Sequence, residues 1–208
     1  MSCVQIKNCG LRRAEEIQQA HATGASFVGF VHHPASPRHL ALDAIRTLIA
    51  ATPSGLHSVV VTVDPPDALV AAITALQPAY LQVHQVTAER LLALKTHTDL
   101  PIIAGVGMQA ATDMAQATAL ETAAAHVLLD AKESGSGQPF DWSLLTPMPL
   151  QKPWFLAGGL TVGNVGVALA RTAAPMVDVS SGIEDAPGKK SLEKIAAFNR
   201  AVLKAAHD

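Results

Sequence analysis

The chain has 208 residues, 49% hydrophobic and 4% aromatic, with 15 basic and 17 acidic side chains for a formal charge of -2. That balance, with no long basic stretch, argues against nucleic acid or an anionic membrane as a partner, and no apolar run reaches the roughly 18 residues of a membrane span. A core resting on Ala, Leu, Val and Ile suits a buried parallel sheet covered by helices, and the length suits one domain over residues 1–208.

Short β-branched or apolar runs alternate with Ala-rich amphipathic stretches from end to end. The first strand is expected at Val4–Lys7, flanked by Cys3 and Cys9. These cysteines are too close along one strand for an ordinary disulfide and are not spaced as a zinc pair. Together with an N-terminus lacking a signal pattern, they favour a reduced, cytoplasmic protein. A helix over Ala14–Ala22 leads to a strand at Phe27–Val31, and a helix over Leu42–Ala51 to a strand at Ser58–Val63. The helix Asp67–Leu76 precedes the strand Ala79–Val83, and Ala88–Thr96 precedes Pro101–Ala104. Gly105-Val106-Gly107 lacks the third glycine and downstream acid of a dinucleotide fingerprint and reads as a loop. A helix over Ala110–Thr118, a strand at His126–Leu129 and a stretch at Trp142–Leu145 too short for a full helix follow. The chain closes with a strand at Trp154–Leu156, a helix over Asn164–Arg171, a strand at Val177–Val179 and a helix over Leu192–Lys204. Eight β/α units of roughly 26 residues each point to a (β/α)8 TIM barrel, while strand count alone leaves an open doubly wound sheet as the alternative.

Period-two alternation then sorts the strand residues by face. Lys7 and Cys9 share one face of the first strand, Gln82 and His84 one face of the fourth, Leu128 and Asp130 one face of the sixth, and Asp178 and Ser180 one face of the eighth. The opposite faces are apolar, apart from Asn8, and suit packing against helices. Each polar set lies at a strand's C-terminal end, where barrels of this class carry their sites. The seventh strand opens into Gly158-Gly159 and the eighth into Ser180-Ser181-Gly182, small residues that let backbone N–H groups approach an anion. Two such ends after the last two strands imply a phosphorylated small substrate.

These residues together resemble the phosphoribosylanthranilate isomerase family, a barrel family of tryptophan biosynthesis. Lys7-Asn8-Cys9-Gly10, Gly29-Phe30-Val31 with Ser36-Pro37-Arg38, and Leu81-Gln82-Val83-His84 are similar to its first, second and fourth strand ends. Leu128-Leu129-Asp130-Ala131 with Gly135-Ser136-Gly137 and Phe140-Asp141-Trp142 resembles its sixth. Leu156-Ala157-Gly158-Gly159-Leu160 with Asn164-Val165, and Val177-Asp178-Val179-Ser180-Ser181-Gly182-Ile183-Glu184, resemble its last two. The chain departs from the pattern at Asn8, where the family has an aliphatic residue, at Asp64 for asparagine, at Gln85 for glycine, and in a short segment between Asp130 and Gly135.

The resemblance implies an Amadori rearrangement of an aminoaldose phosphate into an aminoketose phosphate, with Cys9 as base and Asp130 as acid. Lys7, about 6.6 Å along the strand, would favour the Cys9 thiolate, and burial or a nearby negative charge would keep Asp130 protonated. Arg38 would fork onto the anthranilate carboxylate, with Gln82, His84 and Asp178 positioning the sugar or amino group. Gly158, Gly159, Ser180, Ser181 and Gly182 would hold the phosphate. Side chains can make both proton transfers, so no cofactor and no metal is expected. His32-His33 with His57 lack metal-ligand spacing.

Taken singly, the residues carry blander readings. Cys9 alone reads as a buried structural thiol, Arg38 as a solvated loop residue, and His84 as a satisfied core histidine. Asp130 reads equally as a turn cap, and Gln82 and Asp178 as ties between strands. The rival functions are a related phosphoribosyl sugar isomerase, which would want aspartate at Cys9 and phosphate glycines in both halves, and a non-catalytic sugar-phosphate-binding barrel. A monomer and a homodimer are equally compatible with such a sheet.

Overall fold

The computed structural model describes residues 4–131 and 140–206. Eight parallel strands close into a barrel in sequence order, β1 (Gln5–Cys9), β2 (Phe27–Val31), β3 (His57–Val63), β4 (Tyr80–His84), β5 (Ile102–Met108), β6 (His126–Ala131), β7 (Phe155–Leu156) and β8 (Met176–Val179), with β8 pairing back onto β1. Closure removes both free sheet edges and rules out the doubly wound alternative. Outside lie α1 (Ala14–Ala22), α2 (Leu42–Ala50), α3 (Asp67–Thr74), α4 (Ala88–Leu94), α5 (Asp113–Glu121), α6 (Val165–Thr172) and α7 (Leu192–Ala205), while Trp142–Leu145 forms a 3-10 turn.

Local chemistry sets the helix starts. Thr87 Oγ1 accepts the Arg90 N–H to cap α4, and the Glu16 carboxylate accepts the backbone N–H groups of Arg12 and Arg13 at the start of α1. Asn164 is a cap rather than the first helical residue, with its Oδ1 accepting the Thr161 N–H at 2.8 Å. Helix α5 starts three residues later than its apolar pattern suggests, because the Asp113 carboxylate gathers the N–H groups of Gln109 and Ala110 into a preceding turn.

The two faces of each strand feed two cores. Outward residues such as Ile6, Phe30, Val60, Leu81, Val83, Leu129 and Val177 pack with the helices. Inward ones, including Cys9, Phe27, Val59, Val61, Ile103, Leu128, Phe155 and Met176, fill the barrel. The first residues of five strands, Phe27, His57, Tyr80, His126 and Phe155, meet as an aromatic ring with neighbouring centroids 5.1–5.8 Å apart. His57 therefore belongs to the floor of the barrel. The polar residues stay at the opposite end.

Several strands run further toward that polar end than their apolar runs indicate. Gly105-Val106-Gly107, expected as a loop, is the continuation of β5. There Gly105 pairs with His84 and Gly107 with Asp130, while Gly29 pairs with Cys9. A Cβ on Gly29 would stand 2.8 Å from Cys9 Sγ, and one on Gly105 would stand 2.4 Å from His84 Nδ1. The glycines thus give room to inward side chains on the adjoining strand, which is why a glycine-rich stretch here is sheet.

A two-stranded hairpin, β9 (Glu184–Ala186) with β10 (Lys189–Lys190), was not legible from hydrophobic pattern. Its turn at Gly188 has φ +77°, and a Cβ there would lie 2.4 Å from the Pro37 carbonyl oxygen. The hairpin is therefore pressed against the loop after β2.

Candidate active site

A cavity of about 1190 Å3 opens at the C-terminal ends of the strands. Cys9, Arg38, Gln82, His84, Asp130, Asp178, Ser180 and Ser181 all line it, joined by Glu184. Cys9 ends β1 and Asp130 lies near the end of β6, three strands away by the shorter way around the barrel. Of the polar strand positions that alternation assigned to one mouth, Cys9, Gln82, His84, Asp130, Asp178 and Ser180 line this one space, and Lys7 does not.

Lys7 lies one inward step below Cys9 and is fully buried. Its Nζ donates to Asp178 Oδ1 at 2.9 Å, and the two residues are direct ladder partners between β1 and β8. Burial alone would push the Lys7 ammonium down, but Asp178 and the Cys9 sulfur together hold it above its usual value. Cys9 shows the opposite balance. Burial pushes its thiol up, Asp178 adds to that push, and the downward pulls of Lys7 and Lys190 do not offset the two. Lys7 favours the thiolate, as its place two residues along the strand implies, and desolvation outweighs that pull.

Asp130 is half-buried, and its Oδ1 accepts the Ala131 N–H at 2.8 Å. Gly158, at φ +80°, lies directly beside it: a Cβ there would meet Ala131 N at 2.5 Å and Asp130 Oδ1 at 3.2 Å. The glycine after β7 thus also makes room for the carboxylate of β6. His84 and Gln82 are joined by a 2.8 Å contact between His84 Nε2 and Gln82 Nε2, while Gln82 Oε1 is buried with no hydrogen-bond partner among the described residues. Burial, with the charges of Lys7 and His33, lowers the His84 imidazole to about 4, so at neutral pH the ring is uncharged and can accept from the amide.

Around the proposed phosphate cradle, the cavity lining is Ser180 and Ser181, while Gly158, Gly159 and Gly182 are half-buried beside it and are not among the lining residues. Ser181–Ile183 forms a 3-10 turn, and a Cβ on Gly182 would fall 2.0 Å from the Leu160 carbonyl oxygen, so the loops after β7 and β8 are in direct contact. Asn164 Nδ2 donates to the Gly159 carbonyl at 2.9 Å and steadies the glycine pair. Gly135-Ser136-Gly137 lies outside the described residues.

Arg38 is held differently from expectation. Its Nε and Nη2 donate to Glu184 Oε1 and Oε2 at 2.7 and 2.8 Å, a two-point contact within the protein. Nη1 has no hydrogen-bond partner among the described residues. Lys190 Nζ joins the same carboxylate at 2.7 Å and also donates to the Ser180 carbonyl and hydroxyl at 2.9 and 3.2 Å. Glu184, Lys190 and the three site glycines Gly10, Gly29 and Gly105 were not singled out as functional in the sequence. For the glycines the signal was present, since each follows or faces a candidate side chain. Glu184 closes the eighth-strand motif of the resemblance without a role attached, and for Lys190 there was no signal, because its meeting with Glu184 depends on the hairpin.

The family model for N-(5'-phosphoribosyl)anthranilate (PRA) isomerase matches residues 6–201. The chain belongs to that family. An N-(5'-phosphoribosyl)anthranilate isomerase of Azorhizobium caulinodans is 43% identical over 208 aligned residues, covering 96% of this chain and 91% of the relative. The crystal structure of phosphoribosyl anthranilate isomerase from Thermotoga maritima superposes with a TM-score of 0.88 at 29% identity, covering 96% and 98% of the two chains. Another phosphoribosyl anthranilate isomerase, solved with reduced 1-(o-carboxyphenylamino)-1-deoxyribulose 5-phosphate, matches with a TM-score of 0.85 at 29% identity over the same shares. The chain is accordingly an isomerase of tryptophan biosynthesis on a TIM barrel. The Asn8 departure from the family pattern also has its reason in the structure. Asn8 and Asn199 of α7 exchange amide hydrogen bonds at 3.0 and 3.1 Å, and Asn199 Nδ2 also donates to Thr23 Oγ1 at 2.9 Å.

Proposed function

We propose that this isomerase converts N-(5'-phosphoribosyl)anthranilate into 1-(2-carboxyphenylamino)-1-deoxyribulose 5-phosphate by an Amadori rearrangement in which Asp130 is the acid and Cys9 the base. Asp130 protonates the furanose oxygen, the ring C–O bond breaks, and the nitrogen lone pair forms the iminium. Cys9 thiolate then removes the proton from the adjacent carbon, and the enolamine formed tautomerises to the ketone. The observation that carries this reading is that a thiol on β1 and a carboxyl group on β6 line one cavity beside the small-residue ends of β7 and β8. No step needs a metal or cofactor.

The raised thiol makes the thiolate fraction the active one, so kcat/KM rises with pH toward the Cys9 ionisation. Arg38, with its Nε side occupied by Glu184, presents the Nη1–Nη2 edge to the anthranilate carboxylate, and neutral His84 with Gln82 faces the sugar. Lys7 and Asp178 set the field beneath the reacting carbon. The phosphate rests on the backbone of Gly158, Gly159, Ser180, Ser181 and Gly182. The protein works as one domain in the cytoplasm on a phosphorylated small molecule.

The test mixes the protein with freshly prepared substrate and follows the loss of anthranilate fluorescence. Cys9→Ala and Asp130→Asn each lower kcat by about 10²–10⁴ while leaving product binding close to parental. Near-parental turnover in either variant removes that residue from its role.

A further inference from the structure

We propose that Glu184 is a positioning residue for this isomerisation, its one carboxylate setting Arg38 against the substrate's carboxylate end and Lys190 against the segment at its phosphate end. The proposal rests on the functional reading above and extends it to the hairpin. The argument begins with burial. The Glu184 side chain is 4% exposed, that of Lys190 0% and that of Arg38 11%, so three charges, two of them lining the cavity, sit largely out of water where a loose arrangement would be costly. The arrangement is not loose. Glu184 Oε1 receives both Arg38 Nε and Lys190 Nζ, at 2.7 Å each, and Oε2 receives Arg38 Nη2 at 2.8 Å. Three charge-assisted bonds on two oxygens leave each cation one orientation.

The chain around these groups is shaped to fit them. Gly10, which follows Cys9, has φ +76°, and a Cβ there would stand 2.7 Å from Arg38 Cδ and 3.3 Å from Lys190 Nζ. The residue after the thiol therefore leaves space for both cations to pass close by. Gly188 closes the hairpin against Pro37, the residue before Arg38, so backbone packing reinforces the side-chain lock. Lys190 continues the connection by donating to both oxygens of Ser180, at the end of β8. One unbroken chain of contacts runs from the loop after β2 to the phosphate side of the mouth. Its centre is Glu184.

A substrate with an anionic group at each end needs the groups that receive those ends, Arg38 and the Ser180 segment that Lys190 holds, at a fixed separation. A residue bound to both cations sets that separation before binding, which lowers the ordering cost of the complex. Glu184 does not touch the reacting atoms in this scheme. Its effect on rate passes through Arg38 and Lys190.

The experiment measures KM, kcat and competitive inhibition by anthranilate and by inorganic phosphate for the parental protein, Glu184→Gln, Arg38→Met, Lys190→Met and the Glu184→Gln/Arg38→Met pair. Glu184→Gln is expected to raise KM at least about tenfold, with a smaller fall in kcat, and to weaken inhibition by both probes. Arg38→Met weakens anthranilate inhibition alone, and Lys190→Met phosphate inhibition alone. The double variant binds anthranilate no worse than Arg38→Met, whereas a general structural role for Glu184 would make the two losses add. Parental KM and inhibition in Glu184→Gln, or additive losses in the double variant, overturn the proposal. Should Glu184→Gln melt below the assay temperature, Lys190→Met decides, since Glu184 keeps its Arg38 pair there: parental phosphate inhibition in it overturns the link. A parental protein without turnover overturns the functional reading itself, and the proposal with it. Turnover in the parent with an unaffected Glu184→Gln overturns the proposal alone.

Discussion

Protonating His84 tests the electrostatics of the mouth most directly. The imidazole is lowered from 6.5 to about 4, first by burial and then by the charges of Lys7 and His33. The β5 backbone at Gly105 closes on the ring so tightly that a single methyl would clash at 2.4 Å. Because the folded value lies below the unfolded one, the unfolded chain takes up the proton first. The contribution is therefore complete above pH 6.5 and falls as pH drops through about 4. For this pair of values it is about 2 kcal/mol lost by pH 5 and about 3 kcal/mol by pH 4. The assay is urea denaturation of the parental protein and of His84→Asn at pH 7, 5 and 4, reading the difference between the two at each pH. Other buried groups, His126 among them, titrate in both proteins and cancel in that difference. The parental protein should lose about 2 kcal/mol more than the variant at pH 5 and about 3 kcal/mol more at pH 4. If both lose the same stability within about 0.5 kcal/mol, the imidazole is not held neutral by its surroundings and the argument fails.

Three further outcomes follow from named contacts. Lys7→Met leaves the buried Asp178 carboxylate without its cation, and should cost about 3–5 kcal/mol in denaturation. The same variant removes the largest downward pull on Cys9, so thiolate absorbance and the alkaline rise of kcat/KM should both move to higher pH. Asn8→Leu strands the Asn199 amide and should cost about 1–3 kcal/mol, while the Asn8→Leu/Asn199→Leu pair should recover most of that loss in thermal melts. Gly182→Ala drives a methyl to 2.0 Å from the Leu160 carbonyl, so the turn after β8 must shift and KM should rise at least about tenfold with secondary structure unchanged by circular dichroism.

The barrel and most of its mouth could be read in the chain itself, for a physical reason. A strand buried on both faces needs a continuous apolar outer face, and eight such runs at a steady spacing leave few other folds. Period-two geometry then carries Lys7, Cys9, Gln82, His84, Asp130, Asp178 and Ser180 to one side without reference to any partner. What it could not reveal is where a strand stops once its residues cease to be apolar. Gly105 and Gly107 read as loop because what they pair with, His84 and Asp130, lies on neighbouring strands, and only Gly105's need to leave space for His84 is visible there.

Energetic balances were out of reach for the same reason. Two residues' spacing along β1 correctly placed Lys7 near Cys9, and its pull has the expected direction. Only burial in the assembled barrel decides that desolvation outweighs that pull, since desolvation depends on every atom around the sulfur. Arg38 offered a fork in the sequence, and the fold chose Glu184, 146 positions away, as the carboxylate that holds it. Local order along the chain dictated the elements and the faces they present. Contacts between segments far apart in sequence decided which charge meets which, because only a closed barrel brings the loop after β2 against the hairpin after β8.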